Sequence, residues 1–222
     1  MNKFEISNDQ TKIVKKKNNL KKCIKWIILS VCILSLVSLI IIVKLKTTLN
    51  IDKIVYNCIY NIFKSSNFVD VAIIITNLAN KYWLIIVSIV FILLLKDKKM
   101  GLIILLNLAL AAISNHTLKQ IIRRQRPNEN CLVFEKGFSM PSGHSMVGMA
   151  FYGFLIYIIL KKVNNKFIKY FLITLLSLLI ISIGISRIYL GVHYFSDVIA
   201  GFLFAISYLI VFITIINKYV KI

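Results

Sequence analysis

The chain has 222 residues, 59% of them hydrophobic and only 16% charged, with a mean hydropathy of +0.82. Soluble domains are roughly half apolar and about a quarter charged, and no soluble core of this size hides so much apolar side chain, so the composition excludes an ordinary soluble protein and indicates a single membrane domain. The formal net charge of +20 does not point to nucleic acid, because the basic residues sit between long apolar runs and form no stripe with interleaved aromatics.

Residues 1–25 form a basic segment with eight lysines, including Lys15-Lys16-Lys17 and Lys21-Lys22. The apolar run that follows is long and has no small-residue cleavage site, so it reads as a membrane span and not as a removable signal peptide. Six spans are expected: Trp26–Val43, Tyr82–Leu95, Met100–Leu118, Ser145–Leu160, Phe167–Ile185 and Phe195–Ile216. A helix needs about 20 apolar residues to cross about 30 Å of hydrocarbon. The second and fourth are short and would borrow flanking residues such as Asn80 and Lys81. Val69–Leu78 is apolar but is not counted as crossing. The fold class is therefore all-α: a six-helix transmembrane bundle over residues 26–222, preceded by the basic segment.

Between the first two spans, the apolar residues of Ile51–Lys64 recur at helical spacing: Ile51, Ile54, Val55, Cys58, Ile59, Ile62 and Phe63. Asp52, Lys53, Asn57, Asn61 and Lys64 take the opposite face. Such a helix lies in the membrane interface or packs over the mouth of the bundle.

Orientation follows the lysines and arginines near the span ends. The N-terminal segment, the connections at Lys96–Lys99 and Lys161–Lys169, and the C-terminal tail hold 17 of the 28 basic residues. Six passes put all four on one side, which is expected to be cytoplasmic together with both termini. Of the four cysteines, none forms a C-x-x-C pair, and with only three histidines no zinc constellation appears. No metal or other cofactor is expected. Cys58 and Cys131 share the outer side, but nothing in the sequence brings them together.

Three polar clusters break the apolar pattern, each at the outer end of a span. They are Lys119 through Arg126-Pro127, then Pro141-Ser142-Gly143-His144, then Ser186-Arg187 through His193 to Asp197. Lys119, Arg126 and Arg187 supply cations, and the arginine fork matches phosphate oxygens. Ser142 and Gly143 precede a helix, where free backbone N–H groups face an anion and the missing Cβ allows close approach. His193 and Asp197 are four apart, so a carboxylate can fix one ring nitrogen and leave the other free to attack. His144 arrives from a different helix and can protonate a leaving oxygen. Singly, each residue has a plain structural role: a snorkelling arginine, a turn, a helix-end histidine. Their convergence at one membrane edge, where ionisable groups are costly, points to an oxyanion site.

The pattern K-x6-R-P, P-S-G-H and S-R-x5-H-x3-D resembles the type-2 phosphatidic acid phosphatase superfamily, with all 11 fixed positions present. Within it, the chain is most similar to the bacterial phosphatidylglycerophosphatase-B and undecaprenyl-diphosphatase branch. The resemblance implies a metal-independent, two-step hydrolysis of a lipid phosphate at the extracytoplasmic face. In it His193 becomes phosphorylated, Asp197 orients it, and His144 protonates the leaving group. Lys119, Arg126, Ser142, Gly143 and Arg187 hold the phosphoryl oxygens. Undecaprenyl diphosphate, phosphatidylglycerophosphate and phosphatidic acid are the candidate substrates, with no nucleic acid and no obligate protein partner. The soluble acid phosphatases and vanadium haloperoxidases of the superfamily lack such continuous apolar runs. Arg123 and Arg124, where the motif sets no residue, are candidates for a second phosphate or a neighbouring headgroup. A phosphotransferase of the same fold and a lipid-phosphate transporter are the alternatives. The transporter leaves the His193–Asp197 pair unexplained, and intact motifs argue against an inactive scaffold.

Overall fold

The computed structural model describes residues 3–46, 48–64, 68–127 and 131–220, all helix and connecting loop. The side chains of Lys15, Lys16, Lys17 and Lys21, and residue Lys221, lie outside the described residues. Eight helices follow in order: α1 Lys3–Leu45, α2 Asn50–Phe63, α3 Phe68–Asn77, α4 Lys81–Leu94, α5 Lys98–Ile122, α6 Gly143–Lys162, α7 Lys166–Tyr189 and α8 Phe195–Tyr219. Polar side chains set several starts. Asn80, Asp97 and Asn165 accept from Tyr82 N, Lys99 N and Ile168 N, capping α4, α5 and α7, each satisfying a backbone donor that the helix leaves unpaired.

Among the described residues, five helices are long and apolar enough to cross a membrane: α1 from Lys22 onward, α5, α6, α7 and α8. The expected second span is α4, whose 14 residues extend about 21 Å at 1.5 Å per residue. The expected fourth span is longer than its apolar run. Gly143 and His144 form its first turn, and Lys161 and Lys162 its last. Helix α1 runs unbroken from Lys3 through the membrane-length segment, so residue 25 falls inside a continuous helix.

The long helices alternate in direction. The N-terminus of α1, the α4–α5 and α6–α7 connections and the C-terminus of α8 therefore lie at one end. The C-terminal ends of α5 and α7 and the N-terminal ends of α6 and α8 lie at the other. Helix α6 is the hub, packing against α5, α7 and α8, while α1 lies on α8 and α4 on α5. Phe151, Phe154, Ile183, Leu84 and Ile104 fill the centre. Small residues set the spacing: a Cβ on Gly201 would sit 3.1 Å from both Met146 N and Ser142 O, so α8 can lie against the start of α6 only without a side chain there.

Helix α2 corrects one detail of the sequence reading. Asp52, assigned to the polar outer face, is 2% exposed, whereas Ile54 is 62% and Ile62 63% exposed. The edge that meets α7 and α8 carries Asp52, Val55, Tyr56, Ile59 and Phe63, with Ile51, Ile54 and Ile62 turned outward. Burial follows an ion pair and an aromatic cluster there, not the apolar stripe. Phe63 stacks on Phe68, and both meet the edge of Tyr189. Helix α3, the run Val69–Leu78 of uncertain placement in the sequence, packs on α7 and covers Tyr189, Leu190 and Val192, the segment that leads into His193.

Candidate active site

The three polar clusters converge at the end of the bundle where α5 and α7 finish and α6 and α8 begin. Helix α5 stops at Ile122 because Arg123 turns left-handed, with φ 53°, an uncommon conformation for a non-glycine residue. The chain then doubles back so that Arg124 and Arg126 point into the bundle. Segment 131–142 crosses the site, tied down by Leu132 N donating to Leu190 O and Ser139 N to Arg124 O.

His193 lies just ahead of α8 and is 3% exposed. Its two nitrogens have different surroundings. Nδ1 is 3.5 Å from Asp197 Oδ2, and Nε2 is 3.1 Å from Arg126 Nη1. A guanidinium only donates, so the Nε2 that it approaches carries the lone pair and the ring proton sits on Nδ1, toward the carboxylate. Burial pushes the imidazole well below its ordinary range, and Arg187, Lys119 and Arg126 push it the same way. His193 is therefore neutral at pH 7. Asp197 is fully buried; its Oδ2 also accepts from Tyr194 N at 3.0 Å, and its Oδ1 from Arg124 at 2.5 Å.

Lys119, Arg126 and Arg187 are the cations nearest the His193 ring. Lys119 Nζ donates to Phe138 O at 2.6 Å. Arg126 is braced by the carbonyls of Gly137, Lys136 and Val192. Arg187 donates to Thr76 Oγ1 of α3 at 3.1 Å and to Glu135 Oε1 at 2.6 Å, while its buried Nε has no partner. Ser142 caps α6 by position, but its Oγ accepts from Ser145 and its N–H donates to Asp197 O. Gly143 has the open side that the sequence suggests, but the room is taken by protein: a Cβ would meet Asn115 Oδ1 at 3.1 Å. His144, half-buried, lines a cavity of about 620 Å³ together with Glu135, Asn115, Asn80 and Lys81 and with apolar side chains such as Ile85, Leu108 and Val147. The eight sequence-predicted residues thus all gather at one end of the bundle.

Three further residues matter. Glu135 pairs with Arg187 and stands 3.7 Å from Arg126. Burial raises its carboxyl, but Arg187 and then His144 and Arg126 more than offset this and hold it below the usual range. Asn115 ties the Pro141 carbonyl to α5. Asp52 meets Arg124, which corrects the headgroup assignment of that arginine: Arg124 is 3% exposed, with its guanidinium on Asp52, Asp197 and Ser196 and stacked 4.0 Å over Tyr194. Arg123, the other candidate, donates its Nε to Gln120 O at the surface. Cys58 and Cys131 are both free thiols. Among the described residues, no three His, Cys, Asp or Glu side chains group to hold a metal.

The PAP2 superfamily model matches residues 100–221, more than half of the chain and every motif position. The chain belongs to the PAP2 superfamily. Among PAP2 relatives, it is 39% identical over 106 residues to phosphatidylglycerophosphatase B of Bacillus subtilis strain 168, a match over 46% of this chain and 51% of that one. The matched region thus spans about half the length of this curated relative. The fold matches the crystal structure of the first transmembrane PAP2-type phosphatidylglycerolphosphate phosphatase from Bacillus subtilis. That match has a TM-score of 0.77 and 25% identity, and covers 87% of this chain and 98% of that one. This PAP2 chain is accordingly a multi-pass membrane protein whose motif residues meet at one end of its helices.

Proposed function

We propose that the protein is a lipid phosphate phosphatase that works through a phosphohistidine. The observation that carries this reading is the arrangement of His193, with its Nδ1 toward Asp197 and its unprotonated Nε2 among Arg126, Lys119 and Arg187. The Nε2 lone pair attacks phosphorus, the P–O bond to the lipid breaks, and His144 gives its proton to the leaving oxygen. Water then attacks phosphorus while His144 takes a proton from it, a new P–O bond forms, the P–N bond breaks, and phosphate leaves with the Nε2 lone pair of His193 restored. Lys119, Arg126 and Arg187 meet the charge on the phosphoryl oxygens, with Ser142 and Gly143 at the start of α6, so the chemistry needs no metal in this reading.

A lipid substrate is supported by the cavity beside His144, which combines the polar side chains of His144, Glu135, Asn115, Asn80 and Lys81 with apolar side chains of α4, α5 and α6. This suits a phosphate head with a hydrocarbon tail. The relatives' names favour a phosphatidylglycerophosphate, and undecaprenyl diphosphate and phosphatidic acid fit the same description. The lysine-rich ends lie opposite the site, which supports a site on the extracytoplasmic face with both termini in the cytoplasm. Residues 1–25 would then form a cytoplasmic segment and 26–222 the phosphatase domain, with no protein partner required. The test is phosphate release from these three lipids by purified protein in detergent with chelator. Release that is lost in His193→Ala is expected. Undiminished release by that variant would sink the mechanism, and bound lipid without release would favour a transporter or a transferase.

A further inference from the structure

Arg124 and Asp52 lie behind the His193–Asp197 pair, on the side away from the cavity. Asp52 is the third residue of α2, and Asp197 the third of α8. Each caps its own helix by accepting a backbone N–H, from Leu49 and Tyr194 respectively. Arg124 joins them: Nη2 is 2.9 Å from Asp52 Oδ2, and Nη1 is 2.5 Å from Asp197 Oδ1. Asp52 further accepts from Ser196 N at 2.8 Å and Ser196 Oγ at 2.9 Å. The three charged side chains are each 3% exposed or less. We propose that Asp52 is a positioning residue for the nucleophile: by holding one arm of Arg124, it fixes the Asp197 carboxylate in the rotation that faces His193.

The reasoning is geometric and rests on the phosphohistidine reading above. Carboxylate and guanidinium prefer to pair through two parallel hydrogen bonds. Left alone with Arg124, Asp197 would turn both oxygens to it, drawing Oδ2 from His193. Asp52 occupies the second arm, so Asp197 keeps one oxygen on Arg124 and the other on Tyr194 N and the His193 side. Stacking of Arg124 on Tyr194 and the two hydrogen bonds of Ser196 to Asp52 keep the guanidinium plane from rotating. The nucleophile is thereby tied to the seating of α2, a helix whose exposed isoleucines lie at the edge of the bundle.

The experiment compares kcat and KM of the full chain in detergent on phosphatidic acid for wild type, Asp52→Asn, Asp197→Asn, the double variant and His193→Ala. Asp52→Asn is expected to lower kcat roughly tenfold through lost coupling to Asp197, with KM within about twofold because the cation cradle is untouched. In the Asp197→Asn background it should cost nothing more. Asp52→Glu should recover part of the rate. A kcat within about twofold of wild type, or losses that multiply in the double variant, would overturn the assignment. If Asp52→Asn does not fold, Arg124→Lys carries the same test, since a single ammonium lacks the fork that bridges both carboxylates. Failure of the underlying reading is distinct: His193→Ala would then retain activity. With His193→Ala inactive and Asp52→Asn unimpaired, only the positioning role falls.

Discussion

In the proposed reaction the nucleophile, His193, is a neutral imidazole kept so by its surroundings. Burial and the nearby cations lower the pKa of His193 well below 6.5, so the deprotonated ring persists as the pH falls. The kcat/KM of the wild type, corrected for the substrate's own ionisation, should therefore not drop through pH 6.5 as it would for an unperturbed histidine. A fall centred at 6.5 would count against the assignment of His193. Linkage runs the other way for stability. The unfolded chain takes up a proton at His193 near its ordinary pKa of about 6.5 while the native protein does not. Thermal stability should thus be full above that pH and decline below it, measurably less so in His193→Gln. His193, Asp197 and the three cations could be named from their spacing. Glu135 and Asp52 could not, because an isolated acidic residue in a loop or on an amphipathic helix shows no periodic relation to the arginine it will meet.

Helices were the most legible elements, because long, mainly apolar runs bounded by lysine and asparagine leave little alternative in lipid. Their ends were less so. The fourth span is full length only because Gly143 and His144 are both motif and first turn. Close helix contacts rest on glycines whose role composition does not reveal. At Gly101 a Cβ would lie 2.7 Å from Ile92 Cα, a backbone atom that cannot swing away, so Gly101→Ala must push α4 off α5. A destabilisation of about 1–3 kcal/mol is expected from such overpacking, read as a lower unfolding temperature in detergent. Unchanged stability would mean that α4 is loosely held. Helix α2 shows where periodicity misleads: its apolar stripe is split, with Ile51, Ile54, Cys58 and Ile62 facing outward, and its packed edge is chosen by Asp52 and the Tyr60–Phe63–Tyr189 aromatics.

Over the whole molecule, alternating helix direction separates the lysine-rich ends from the site, and the native cysteines mark the two. Cys131 is exposed at the site end and Cys23 at the far end, near the start of the membrane-length part of α1. An impermeant maleimide applied to intact cells should label Cys131, with Cys23 labelled only after lysis. The opposite pattern would invert the orientation and put the chemistry in the cytoplasm.

Hydropathy and three motifs by themselves determined that this chain is a helical membrane protein, how its helices alternate, and which eight residues gather at one end of the bundle. Those signals are local: a run of apolar residues or a fixed spacing along one chain. Only the tertiary structure decided what stands behind and across the site. Residue 52 meets residue 124, and residue 135 meets residue 187, because helices far apart in sequence share one end of a bundle. Pairings of that kind depend on packing and charge neutralisation in a buried space, which no sequence interval encodes.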